Sequence, residues 1–146
     1  MNCLYFDANY LGKLQWPEQG SMEVEACASQ AGELCTAAHG RAEFYSIGHR
    51  KLREGKATAI ILKTIFAQFD SEVAAGKIVL LPLTDTIIDR IETVFATAPS
   101  TTYLRAADAL HLATAAEHGF TEIHSNDKHL LAAAPLFGLV GKNVIP

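Results

Sequence analysis

The chain has 146 residues, 49% of them hydrophobic and 19% charged, an ordinary composition for one globular domain that needs no staples to build a core. A formal charge of −4 argues against a protein that coats nucleic acid nonspecifically, although a local basic patch is compatible with an acidic whole. The start, MNCLYFDANY, lacks the basic residues and apolar run of a signal peptide, and no stretch is apolar for long enough to span a bilayer, so a soluble cytoplasmic protein is expected.

Taken in chain order, short apolar runs bounded by breakers alternate with longer helical patterns. CLYF (3–6) predicts a strand followed by a short helix. Residues 15–25, with Pro17 and Gly20, read as a loop leading into a helix toward Gln30. ELCTA (33–37) predicts a second strand, followed by helices over 40–53 and 57–75. KIVLLPL (77–83) predicts a third strand, then a helix over 84–95 capped by Thr84 or Asp85. LRAADALHLATAAEHGF (104–120) is a helix apolar on nearly every side, closed by Gly119. TEIHS (121–125), a helix over 128–134 and a closing KNVIP (142–146) complete the pattern. Strands joined through helices, without hairpin signals, imply an α/β fold with a mostly parallel sheet covered on both faces. Cys3, Cys27 and Cys35 are odd in number and lack CxxC spacing, so buried reduced thiols are expected.

Asp108 is out of place in its apolar helix, because a buried carboxylate costs several kcal/mol unless it is paired. Arg105 or a backbone N–H near the helix start is one partner; the helix dipole is another influence. The remaining acids offer a third answer. Ligands of open α/β sheets bind beyond the carboxyl ends of the strands. Asp7 ends the first strand, Glu43 lies early in the helix after the second, Asp108 starts the helix before the fourth, and Asp127 follows that strand. All four are therefore expected at one end of one sheet. Mutual repulsion there is relieved by a hard divalent cation, Mg2+ or Mn2+, which takes oxygen ligands and serves phosphodiester hydrolysis. Taken singly, each acid also has a plain structural reading: Asp7 as a turn or N-cap acid, Glu43 as a solvated helix acid, Asp127 as the N-cap of KHLLAAA.

The segments YFDAN, AAHGRAEFYSIGHRKLREGK, KIVLLPLT, LRAADALHLATA and HSNDKHLLAAAPLFGL, spread over nearly the whole length, resemble the PIN domain and within it the VapC-type toxins of toxin–antitoxin systems. The resemblance implies a single domain, 1–146, with a five-stranded parallel sheet between helices, and a Mg2+- or Mn2+-dependent endoribonuclease. It places the catalytic, metal-binding acids on Asp7, Glu43, Asp108 and Asp127, with Asn9 and Ser125 as supporting groups. It also implies an RNA substrate, a cognate antitoxin protein and a homodimer. The chain departs from the family where DAN has no hydroxyl residue directly after the acid, and where Asn126 fills a position that is often aromatic.

HRKLREGK (49–56) is the densest positive run. Arg50 and Arg53 there, with Arg105, are candidates for RNA contact, while a solvated helix end whose cations favour its negative terminus explains the run nearly as well. His111 is left outside the site, because packing or a local hydrogen bond accounts for it. Trp16 reads as a cover on the core edge. A HAD phosphatase would show DxD at the first strand end, a receiver an acid pair before it, and a dinucleotide fold GxGxxG; none is present. A catalytically silent PIN-like binding module stays open as the alternative.

Overall fold

The computed structural model describes residues 2–146, so residue 1 of the expected domain lies outside the described residues. The chain runs β1 (Cys3–Tyr5), α1 (Ala8–Gln15), α2 (Ser21–Ala28), β2 (Glu33–Ala37), α3 (Ala38–Arg53), α4 (Ala59–Ala74), β3 (Ile78–Leu81), α5 (Asp85–Thr97), α6 (Ala106–Glu117), β4 (Glu122–His124), α7 (Lys128–Ala133), a 3-10 turn (Ala134–Phe137) and β5 (Val140–Lys142). No helix among the described residues is long and apolar enough to cross a membrane.

The expected single five-stranded sheet is corrected. The strands form a three-stranded parallel sheet in the order β1-β2-β3 and a separate parallel pair, β4-β5. One isolated parallel bridge, Phe6 with His124, joins them. The reason is local: Asp7 takes the chain into α1 immediately after Phe6, and β4 is only three residues long, so there is no length for a continuous ladder. The last strand is also displaced from KNVIP to Val140–Lys142, because Gly138, with φ of 73°, turns the chain back two residues earlier.

Side-chain alternation along the strands divides the core between the two faces of the sheet. Tyr5 and Cys35 point to a cluster with Ile87, Leu112, Ile123 and Phe137. Their neighbours Phe6 and Leu34 point to another with Tyr10, Leu11, Phe44, Phe69 and Ile78. The helix α6 is sandwiched, with Asp108, Ala109, His111, Leu112, Ala113, Thr114 and Ala115 all buried. The expectation of three reduced thiols gives way as well. Cys3 pairs across the strands with Glu33 and Tyr5 with Cys35, so Cys3 and Cys35 lie diagonally on one face of adjacent strands and are bonded as a disulfide; Cys27 is free.

The second cluster rests on α3 against α4, where the Phe44 and Phe69 rings stack at 4.1 Å. Phe69 is fully buried. Truncation of Phe69 to alanine is expected to cost about 3–5 kcal/mol in urea unfolding, with Phe69→Leu costing less; equal losses would mean that the buried volume restored by leucine contributes nothing there.

Candidate active site

Each acid is held by the local structure around it. Asp7 caps α1, accepting a hydrogen bond from the Tyr10 N–H at 3.0 Å. The Ser125 hydroxyl donates to the other carboxylate oxygen of Asp7 at 2.5 Å and accepts from the Asp127 N–H at 2.9 Å, so one serine ties the ends of β1 and β4 together. Asp127 caps α7, accepting from the N–H groups of His129 (2.8 Å) and Leu130 (3.3 Å). The structural role expected of each cap is therefore real, and both capping residues also line the cleft. Asp108 stands in the first turn of α6, and Glu43 in the second turn of α3.

These elements enclose a cleft of about 300 Å3, lined in part by Asp7, Asn9, Glu43, Arg50, Arg105, Asp108, His111 and Asp127. All four acids picked out in the sequence, with Asn9, Arg50 and Arg105, thus come together. Ser125 is fully buried behind Asp7 and Arg53 is exposed outside the cleft lining. Within the basic run, Lys51 is engaged by Glu18 at 2.8 Å and lies over the Trp16 ring, which is buried as expected.

Charge in the cleft is balanced unevenly. Arg105 donates from Nε to Asp108 at 2.7 Å and from Nη2 to Asp127 at 2.5 Å, so one guanidinium bridges two of the acids. Burial opposes ionisation of Asp127, but Arg105 and the backbone donors outweigh it and hold its pKa below the usual value. Burial pushes Asp108 up in spite of Arg105. Burial likewise opposes ionisation of Glu43, yet the His111 hydrogen bond brings its pKa down. Asp7 has no guanidinium beside it: burial pushes its pKa up to about 6, against the Ser125 hydrogen bond, the nearby His111 and the Tyr10 N–H.

His111, set aside in the sequence reading, is the residue that organises Glu43. Its Nε2 donates to Glu43 Oε1 at 2.5 Å, and its Nδ1 accepts from the Tyr5 hydroxyl at 2.7 Å, which in turn accepts from the Ala37 N–H. Gly40 permits the approach, since a Cβ there would lie 3.3 Å from the His111 ring and 2.7 Å from the Thr36 hydroxyl. The packing of α3 on α6 creates this contact across 68 residues of sequence, so no local spacing announced it. Ser46 and Ile47, which also line the cleft, carried no signal in the sequence either.

A family model described as PIN domain matches residues 4–135 of the chain. No curated protein sequence matches. Among solved structures, FitAcB from Neisseria gonorrhoeae is similar at a TM-score of 0.74 and 16% identity, over 97% of each chain. VapBC2 from Rickettsia felis, bound to a DNA fragment from its promoter, is similar at 0.67 and 10% identity, over 97% of this chain and 98% of that one. FitAB bound to an IR36 DNA fragment is similar at 0.61 and 16% identity, over 98% of this chain and 96% of that one.

The lone position of Asp7 has a measurable consequence. Between an ordinary pKa of 3.8 and about 6, the folded state holds a proton that the unfolded state has lost, so stability falls as pH rises through that window. Without added metal, Asp7→Asn is expected to be more stable than wild type above pH 6, by up to about 3 kcal/mol, and the gain should fade toward pH 4. A difference independent of pH in urea unfolding would refute the strained carboxylate.

Proposed function

Because the chain belongs to the PIN domain family, we propose that it is a metal-dependent endoribonuclease and the toxin of a type II toxin–antitoxin pair. The observation that carries this is the cleft, where Asp7, Glu43, Asp108 and Asp127 converge from four separate elements. The donor set fits a hard divalent cation such as Mg2+ or Mn2+, since it consists of carboxylate oxygens and includes the buried Asp7, which makes no ion pair among the described residues. These four acids would hold the ion. When bound, it lowers the pKa of an attacking water and offsets charge on the phosphodiester.

The chain's own residues supply the rest. Ser125 keeps Asp7 in place through its short hydrogen bond, and His111 does the same for Glu43. Arg105 holds Asp108 and Asp127 in the absence of substrate and is positioned to turn toward an RNA phosphate. Arg50 meets the backbone at the cleft wall, with Arg53 further out on the same helix, and Asn9 orients polar groups inside. Cleavage leaves a 5′-phosphate. The likeness to VapBC2, captured on a DNA fragment from its promoter, supports an antitoxin partner, and two copies of this chain associate as a homodimer.

One observation favours the other reading, a silent PIN-like binding module: Arg105 already neutralises two of the four acids. Incubation of total cellular RNA and purified transfer RNA with Mg2+, Mn2+ or chelator decides between them. Metal-dependent cleavage is expected for wild type, with a loss on the order of 100-fold or more in Asp7→Asn. Equal inertness of the two folded proteins would sink the nuclease reading in favour of the binding module.

A further inference from the structure

Beside the carboxylate cluster, and sharing one member with it, lies a group of different chemistry. His39, Glu43 and His111 each offer a ligand atom within 4.8 Å of the others. The His39 and His111 rings are 4.2 Å apart between centroids, and both face Glu43 Oε1, His39 Nε2 at 3.4 Å and His111 Nε2 at 2.5 Å. Three ligands around one tetrahedral zinc ion stand about 3.3 Å from each other, so small side-chain adjustments suffice. Two imidazoles and one carboxylate select a borderline transition ion over magnesium, which prefers oxygen alone.

The surroundings are built for an imidazole ligand. The side chain of His111 is only 3% exposed and its Nδ1 is fixed by Tyr5, so its ring is aimed and Nε2 is the nitrogen facing Glu43. For Nε2 to become a ligand, the ring proton must move to Nδ1, and the Tyr5 hydroxyl must then accept rather than donate. That change needs a new acceptor for the Tyr5 proton. The Thr36 hydroxyl, fully buried beside Tyr5 and without a hydrogen bond among the described residues, can turn to accept it. The proton stays within the protein and no charge is stranded. His39, in the first turn of α3 and a quarter exposed, is the adaptable ligand, giving up only a 3.2 Å contact with the Ala107 carbonyl.

We propose that His39, Glu43 and His111 form a zinc-class metal site that draws Glu43 away from the catalytic carboxylates, so that a borderline transition ion inhibits the nuclease. The inhibitory part rests on the nuclease reading above; the metal site does not. The same carboxylate cannot be turned toward both ions at once, so the two metals compete through a shared side chain.

The test uses the full chain freed of metal by chelation. Zn2+ is titrated by calorimetry, and Co2+ serves as a visible-absorption probe whose intense bands report low-coordinate geometry with nitrogen ligands. Wild type is expected to bind one Zn2+ and to show the Co2+ bands. His39→Ala, a change on a partly exposed helix position, should weaken Zn2+ on the order of 100-fold and abolish the bands. Asp127→Asn should leave both intact. Wild-type binding in His39→Ala, or loss in Asp127→Asn, would place the ion on the carboxylates and overturn the site. In the cleavage assay with excess Mg2+, low Zn2+ should inhibit wild type and leave His39→Ala active; equal inhibition of both would overturn the competition. Should wild type cleave no RNA at all while the Co2+ bands still follow His39, the nuclease reading falls and the metal site stands.

Discussion

The carboxyl edge of the sheet is governed by one electrostatic constraint, the convergence of four carboxylates in a cleft of about 300 Å3. At interior effective dielectrics, unit charges 4 Å apart repel by about 4 kcal/mol and less as they separate, so four acids around one cleft call for compensation. Each acid finds a different one. Asp127 has Arg105 and two backbone N–H groups; Asp108 has Arg105; Glu43 has His111. Asp7 has a serine and one N–H, and burial leaves its pKa raised, as burial also raises that of Asp108 in spite of Arg105. The edge is thus neutralised most where the chain supplies its own cation and least at the strand end, where an external cation has most to offer.

That compensation reaches back into the fold. Ser125 ties Asp7 to the segment carrying Asp127, close to the single bridge between the two sheets. The split between sheets falls at the functional edge, so a hydroxyl and two caps replace the ladder hydrogen bonds that a continuous sheet would have provided. Burial of α6 has a similar dual effect. Its apolar faces fill the core around Leu112 and Ala113, and the same packing carries Asp108 to the cleft and His111 to Glu43. Arg105, at the helix start, closes that arrangement from the solvent side.

His111 shows how a residue apparently devoted to packing acquires a functional position. A buried imidazole must satisfy two nitrogens, and here one is met from the core side by Tyr5 and the other from the cleft side by Glu43. The ring therefore connects the strand β1 with the mouth of the site. With His39 beside it, the cleft has an oxygen-rich half and a nitrogen-rich half meeting at Glu43, a division that lets the same side chain answer to two classes of ion.

Much of this was legible along the chain. Apolar runs alternating with helical periods determine an α/β parallel architecture, because the period of burial is set by local backbone geometry. Asp7, Asp108 and Asp127 stand out by their places at strand and helix ends, and the motifs around them carry the family. The helix over 104–120 and the caps Thr84 and Asp127 were readable for the same local reason. The tertiary structure alone decided what depends on distances across the chain: the separation of β4-β5 from β1-β2-β3, the pairing of Cys3 with Cys35, the retreat of the last strand to Val140–Lys142, the bridge made by Arg105, and the meeting of His39 and Glu43 with His111. Local spacing encodes which face a residue takes. Which residue from another element it meets is fixed only when α3, α6 and the strands pack, since that choice depends on volumes and registers summed over the whole core.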